Sequence, residues 1–209
     1  MEGEYRTVKF ESSDEFYEKK SRFIGYVKNV KTKDEALEFI EKIRKKHWDA
    51  THNVYAYVLR EDNIRRFSDD GEPQGTAGMP VLDVLLKEEI TDCALVVTRY
   101  FGGIMLGAGG LVRAYSHGAK IALDAGCPVT MVPFTNALIK CDYSFFGKVS
   151  SLIPDRGGRI INSDFSDSVS VEFSLPSFQY EPLCKDITDA SSGKFFCEKT
   201  GEMFSAIEK

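Results

Sequence analysis

Histidine is scarce in this chain. The three in 209 residues (His47, His52, His117) are too dispersed for H-E-x-x-H or the paired Cys/His spacing of a zinc site. Five cysteines (Cys93, Cys127, Cys141, Cys184, Cys197) show neither C-x-x-C nor even disulfide-like spacing. That usage fits reduced thiols, buried as small apolar residues in a cytosolic protein. No apolar run approaches the roughly 18 residues that span a bilayer. The opening "MEGEYRTVKF" lacks the apolar core of a signal peptide, so the expectation is a soluble, cytoplasmic protein. An excess of basic residues is missing too. Lys and Arg number 27 against 32 Asp and Glu, a net charge of −5, which argues against a generally basic nucleic-acid binder and leaves room for a local patch. No serine or cysteine sits in a G-x-S-x-G context. The plentiful aromatics are not interleaved with basic residues as a single-strand stacking platform requires.

What remains is an ordinary globular composition, 43% hydrophobic and 28% charged, long enough for one large or two small cores. "EYRTVKFE" and "SRFIGYVKNV" read as strands. In "TKDEALEFIEKIRKKH" Thr32 caps a helix and Glu35 completes a capping box, with Ala36, Phe39, Ile40 and Ile43 on one face. "HNVYAYVLR" and "NIRRFSDD" predict an antiparallel pair. "VLDVLLKEE" predicts a short helix with Pro80 in its first turn, and "DCALVVTRY" a central strand. From Leu111 the chain is helical, with Leu111, Tyr115, Ala119 and Ala122 on one face, until Gly126 and Pro128 stop it. After a boundary placed near Val132–Thr135 the elements run strand, helix, strand, strand, helix, strand. That order is the ferredoxin-like βαββαβ unit. The expected domains are therefore 1–133 and 136–209, in an α+β chain.

Five glycines crowd "FGGIMLGAGG" between Arg99 and Arg113: Gly102, Gly103, Gly107, Gly109 and Gly110. P-loop spacing fails because Ala108 and Gly109 replace Lys and Ser/Thr, and a G-x-G-x-x-G fingerprint fails because Val112 replaces its third glycine. A weaker reading survives. "GAGG" opens a helix, whose unpartnered N–H groups and dipole favour an anion. Arg113, His117 and Lys120 follow on one stripe, and Arg99 leaves the preceding strand. The competing reading is close strand–helix packing with solvated basic side chains. A second block, "FSDDGEPQGTAG", holds Asp69, Asp70, Glu72, Gly75 and Thr76. Its carboxylates could ligate magnesium or act as an acid/base pair, although D-D-G-E is also ordinary turn chemistry. His52 beside an apolar strand reads as structural.

"SRFIG", "HNVYAYVL", "FSDDGEPQGTAGMPVL" and "RYFGGIMLGAGGLVRAY" occur in this order and together resemble the YigZ/IMPACT family of small cytoplasmic proteins. The resemblance covers residues 1–130. Beyond them the βαββαβ order and "G-x-x-x-x-L-I-P" are similar to the family's bacterial C-terminal domain. The resemblance implies an N-terminal α/β domain with the βαβ-type fold of a ribosomal small-subunit protein. It implies a ferredoxin-like C-terminal domain similar to the end domain of elongation factor G. It further implies that eukaryotic relatives act in translational control, by competing for a partner of a stress-responsive initiation-factor kinase. No catalytic residue, cofactor or metal is carried over; only the blocks Asp69–Gly78 and Arg99–Arg113 transfer. The function expected is a non-catalytic regulatory protein that binds the ribosome, RNA or a translation factor, with Arg99 and Arg113 contacting phosphate or an acidic surface. The rival is a metal-dependent enzyme acting on a small phosphorylated or peptide substrate through Asp69, Asp70 and Glu72.

Overall fold

The computed structural model describes residues 3–206, which divide into two compact units, 5–130 first and then 131–206 together with residues 3–4. The first contains β1 (Tyr5–Val8), β2 (Ser12–Glu18), β3 (Ser21–Asn29), α1 (Lys33–Lys46), β4 (His52–Val58), β5 (Arg65–Ser68), α2 (Gly78–Lys87), β6 (Cys93–Tyr100) and α3 (Ala108–Ala125). Its antiparallel sheet runs β2-β3-β6-β4-β5, so the β-branched run of β6 lies at the centre as its composition predicts. Alternation along β6 builds two cores. Cys93, Leu95 and Val97 face α2 and α3, whereas Ala94 and Val96 face α1.

The α1 face is the predicted one. Ala36, Phe39, Ile40 and Ile43 are all buried, each large side chain worth about 1.5–3 kcal/mol in burial. Thr32 Oγ1 accepts from Glu35 N at 3.2 Å, while the Glu35 carboxylate accepts from Lys31 N at 2.7 Å, one residue outside the usual capping box. Leu111, Tyr115, Ala119 and Ala122 are likewise buried on α3. Helix α3 starts three residues before the expected Leu111, taking Gly109 and Gly110 into its first turn.

Strand β2 was not anticipated. Its sequence, SSDEFYE, is mostly exposed and acidic, because an edge strand is covered on one side only. Backbone pairing with β3 and the stacking of Phe16 on Phe23 (5.1 Å between ring centres) hold it.

In the second unit, β7 (Pro128–Cys141), α4 (Tyr143–Asp155), β8 (Arg159–Phe165), β9 (Val169–Pro176), α5 (Tyr180–Ala190) and β10 (Cys197–Ala206) follow in βαββαβ order. The strand order β10-β7-β9-β8 is the ferredoxin-like arrangement, and β1 adds to the same sheet alongside β7. Residues 132–135, where a boundary was expected, lie inside β7, which pairs with both β9 and β10 there. The core holds Ala137, Ile139, Val171 and Phe173 from the sheet and Val149, Ile153, Leu183 and Ile187 from the two helices. No helix among the described residues is long and apolar enough to cross a membrane.

Candidate functional site

The four sequence blocks meet at one end of the first unit's sheet, where β6 ends and β3 and β4 begin. Arg99 is the seventh residue of β6, and alternation places it on the face of Leu95 and Val97, towards α3. Its guanidinium is only 6% exposed and donates to Glu72 Oε1 at 2.6 Å. Tyr115 of α3 donates to the same oxygen at 2.7 Å. His52, at the start of β4, donates from Nδ1 to the Asp70 carbonyl at 2.7 Å, which turns its Nε2 to within 3.8 Å of Glu72 Oε1. Ser21 Oγ, fully buried, accepts from Arg99 at 3.5 Å and from Gly102 N at 3.2 Å. "SRFIG" thus contributes Ser21, "HNVYAY" His52, the acidic loop Asp70 and Glu72, and the glycine stretch Arg99, Gly102 and Tyr115.

This geometry corrects the reading of Arg99. It is an internal strut with its Nε buried and unpartnered, and it does not reach an external phosphate. The acidic loop follows its turn chemistry, and its three carboxylates diverge instead of gathering around a metal or as an acid/base pair. Asp69 accepts from Gly75 N (3.0 Å), Ala77 N (3.1 Å) and Gly78 N (2.8 Å), capping α2 from eight residues upstream of its Ala77 N-cap. Asp70 accepts from Asn53 N at 2.6 Å and pairs with Arg44 at 3.0 Å. Glu72 serves Arg99 and Tyr115. Thr76 Oγ1 turns back to the Pro73 carbonyl at 2.6 Å. Among the described residues no three His, Cys, Asp or Glu side chains are gathered as metal ligands would be. Burial first, and the Glu72 charge second, push the Tyr115 phenol far above its usual range, so it stays a hydrogen-bond donor.

The glycines bend and admit backbone more than they display it. A Cβ on Gly102 would lie 2.0 Å from the Lys20 carbonyl, so the β2–β3 turn and the glycine loop touch main chain to main chain. Gly103 and Gly107 hold φ of 83° and 73°, the latter as the N-cap of α3 with no side-chain cap. Outside that bend the loop is open. Phe101, Ile104 and Met105 are exposed, Met105 to 85%. Gly109 and Gly110 sit in the first turn, whose N–H groups have no partner within the helix.

Of the basic stripe, the Arg113 side chain alone has no hydrogen-bond, ion-pair or ring partner among the described residues. His117 packs edge-on against Phe16 at 4.5 Å, and Lys120 is taken by Asp124 (2.6 Å) and Glu88 (3.1 Å). Two cations that the sequence reading missed join Arg113. Lys19 and Lys20, at the tip of the β2–β3 turn beside Gly102, are exposed and form no ion pair among the described residues. Only their adjacency in a hairpin turn, unmatched by acidic neighbours on the far side, hinted at them.

Comparison with known proteins supplies the setting. Residues 19–123 match the Impact N-terminal domain and residues 139–194 match a domain of unknown function, DUF1949. The IMPACT family member YvyE of Bacillus subtilis is 40% identical over 191 residues, covering 91% of this chain and 88% of its own. YigZ of Escherichia coli is 37% identical, covering 84% of this chain and 87% of its own. A crystal structure described as a hypothetical protein superposes with a TM-score of 0.61 at 32% identity, over 96% of this chain and 99% of its own.

Proposed function

The chain belongs to the IMPACT family, and from that membership we propose that it is a non-catalytic binding protein of the translation apparatus. The ribosome is its partner, held through phosphate groups at the glycine-loop end of the first unit. One observation carries this reading. The groups capable of chemistry there (His52, Glu72, Arg99, Tyr115) are spent on one another, while Lys19, Lys20 and Arg113 form no ion pair among the described residues around an exposed loop. A buried strut behind an exposed loop is the construction of a docking surface.

Phosphate fits the surface on two counts. Unpartnered N–H groups at the start of α3 point outward with the positive end of the helix dipole. The three cations add charge that positions a phosphate backbone without reading sequence. Met105, Ile104 and Phe101 then supply apolar contact beside the charged rim. The role of eukaryotic relatives in translational control, implied by the sequence resemblance, gives the class of partner.

Sedimentation of the purified protein with ribosomes and separated subunits tests this. Comigration at low salt that fades steeply as salt rises is expected, because neutralised phosphates release their counterions. Protein remaining at the top of the gradient at low salt would refute it and favour an adaptor between proteins.

A further inference from the structure

In the second unit, α5 and β10 bring two cysteines together. Cys197 opens β10 opposite Ile139 of β7, a fully buried core residue, so its side chain lies on the sheet face that α5 covers. Cys184 lies on α5 one turn after Tyr180, on the same side of that helix. The Tyr180 hydroxyl donates to the Cys197 carbonyl at 3.4 Å, which fixes this side of α5 over the start of β10. The two thiols therefore share the space between α5 and the start of β10, close enough to interact with each other and with the Tyr180 hydroxyl. Both are free thiols, neither of them fully buried. The other three cysteines stand apart: Cys93 and Cys141 are sealed within strands, and Cys127 is exposed between α3 and β7.

We propose that Cys184 and Cys197 are a dithiol site that closes to an intramolecular disulfide when met by a two-electron oxidant such as hydrogen peroxide. The Cys184 sulfur, as thiolate, attacks one peroxide oxygen. The O–O bond breaks and the departing hydroxide leaves as water, giving a sulfenic acid on Cys184. The Cys197 sulfur then displaces the sulfenic hydroxyl, which leaves as a second water. Two thiols lose two electrons and two protons, and one peroxide becomes two waters. Burial raises both thiols, Cys197 the further of the two, so Cys184 is the first to react.

The closed bond ties the end of α5 to the start of β10. The segment between them already carries Lys194, paired with Asp142 at 2.7 Å, and Phe195, packed on Phe145 at 5.0 Å between ring centres. Oxidation therefore fixes the α5–β10 connection against the start of α4. Burial holds both thiols above their usual range, so closure at neutral pH is slow and quickens as pH rises.

The test is hydrogen peroxide treatment of the reduced full chain, followed by alkylation, intact mass measurement and a non-reducing tryptic map. The expected product has lost the mass of two hydrogen atoms and joins fragment 160–185 to fragment 195–199. Its rate of formation rises from neutral to mildly alkaline pH. Cys127→Ser leaves the link intact, whereas Cys184→Ser or Cys197→Ser abolishes it. Separate sulfinic acids, a link through Cys127 to another copy, or thiols that stay reduced under peroxide would each overturn the proposal. Should a serine variant fail to fold, the map of the unmodified chain decides by itself.

Discussion

Replacing Glu72 by glutamine removes one charge and leaves the other stranded. Glu72 and Arg99 side chains are 4% and 6% exposed and 2.6 Å apart. At an effective dielectric constant of about 20, charges that close attract by roughly 6 kcal/mol. Taking each ion out of water costs several kcal/mol, so the intact pair contributes little net stability. The arginine left behind keeps its desolvation cost, answered by Ser21 at 3.5 Å and the Phe23 and Phe101 rings at about 5.5 Å but, among the described residues, by no opposite charge within bonding range. Glu72→Gln should therefore destabilise the first unit by about 3–5 kcal/mol. Adding Arg99→Met removes the stranded charge and should recover part of the loss, leaving a coupling energy of about 1–3 kcal/mol. Urea unfolding followed by circular dichroism reads the totals. Hydrogen exchange of the β6 amides assigns them to the first unit, since a two-unit chain need not unfold in one step. Effects of the two substitutions that simply add would refute the buried-strut reading.

Three further outcomes follow from the same geometry. Asp142 caps α4, and the Lys194 ammonium first, then the Ser144 hydroxyl, draw its carboxyl down from 3.8 to about 2. A depressed carboxyl contributes stability above its unfolded value that is lost as pH falls through the folded one. Asp142→Asn should thus flatten the acid loss of second-unit stability between pH 3.8 and about 2, measured by urea midpoints across that window. Gly102→Ala should destabilise by about 1–3 kcal/mol, because its Cβ would overlap the Lys20 main chain and force the β2–β3 turn away; an unchanged melting temperature would count against that contact. Magnesium, manganese or zinc should leave the melting temperature unmoved, since the carboxylates of 69–72 are engaged elsewhere and a cation bound to the folded state alone would raise it.

The sequence made legible whatever rests on local spacing. Helix α1 follows from Thr32, Glu35 and four apolar positions, and β6 from a mostly apolar run centred on the β-branched Val96, Val97 and Thr98. The second unit's topology follows from the order of its elements. Strand β2 escaped because its pairing, and not its composition, makes it a strand. The site was half legible. The acidic and glycine blocks, both legible as motifs, meet at the buried Glu72–Arg99 pair, and alternation from Val97 turns Arg99 inward where an outward cation was expected. Tyr115 was placed on the buried face, where its hydroxyl needed a partner. That the partner is Glu72, 43 residues earlier, is a tertiary fact no local pattern encodes. The dispersal of the carboxylates was equally hidden, since each is satisfied by donors from a different element.

The central claim is that the glycine-loop end of the first unit is the docking surface. It is tested most directly by ribosome sedimentation of two folded variants side by side. One carries Lys20→Ala and Arg113→Ala with Met105→Ser, at the proposed surface. The other carries Arg65→Ala and Arg66→Ala on edge strand β5, which removes two exposed cations elsewhere on the same unit. Loss of binding and a flatter salt dependence in the first, with the second unchanged, is the predicted result. Equal binding by the first variant and the unmodified chain, or loss confined to the second, would contradict it.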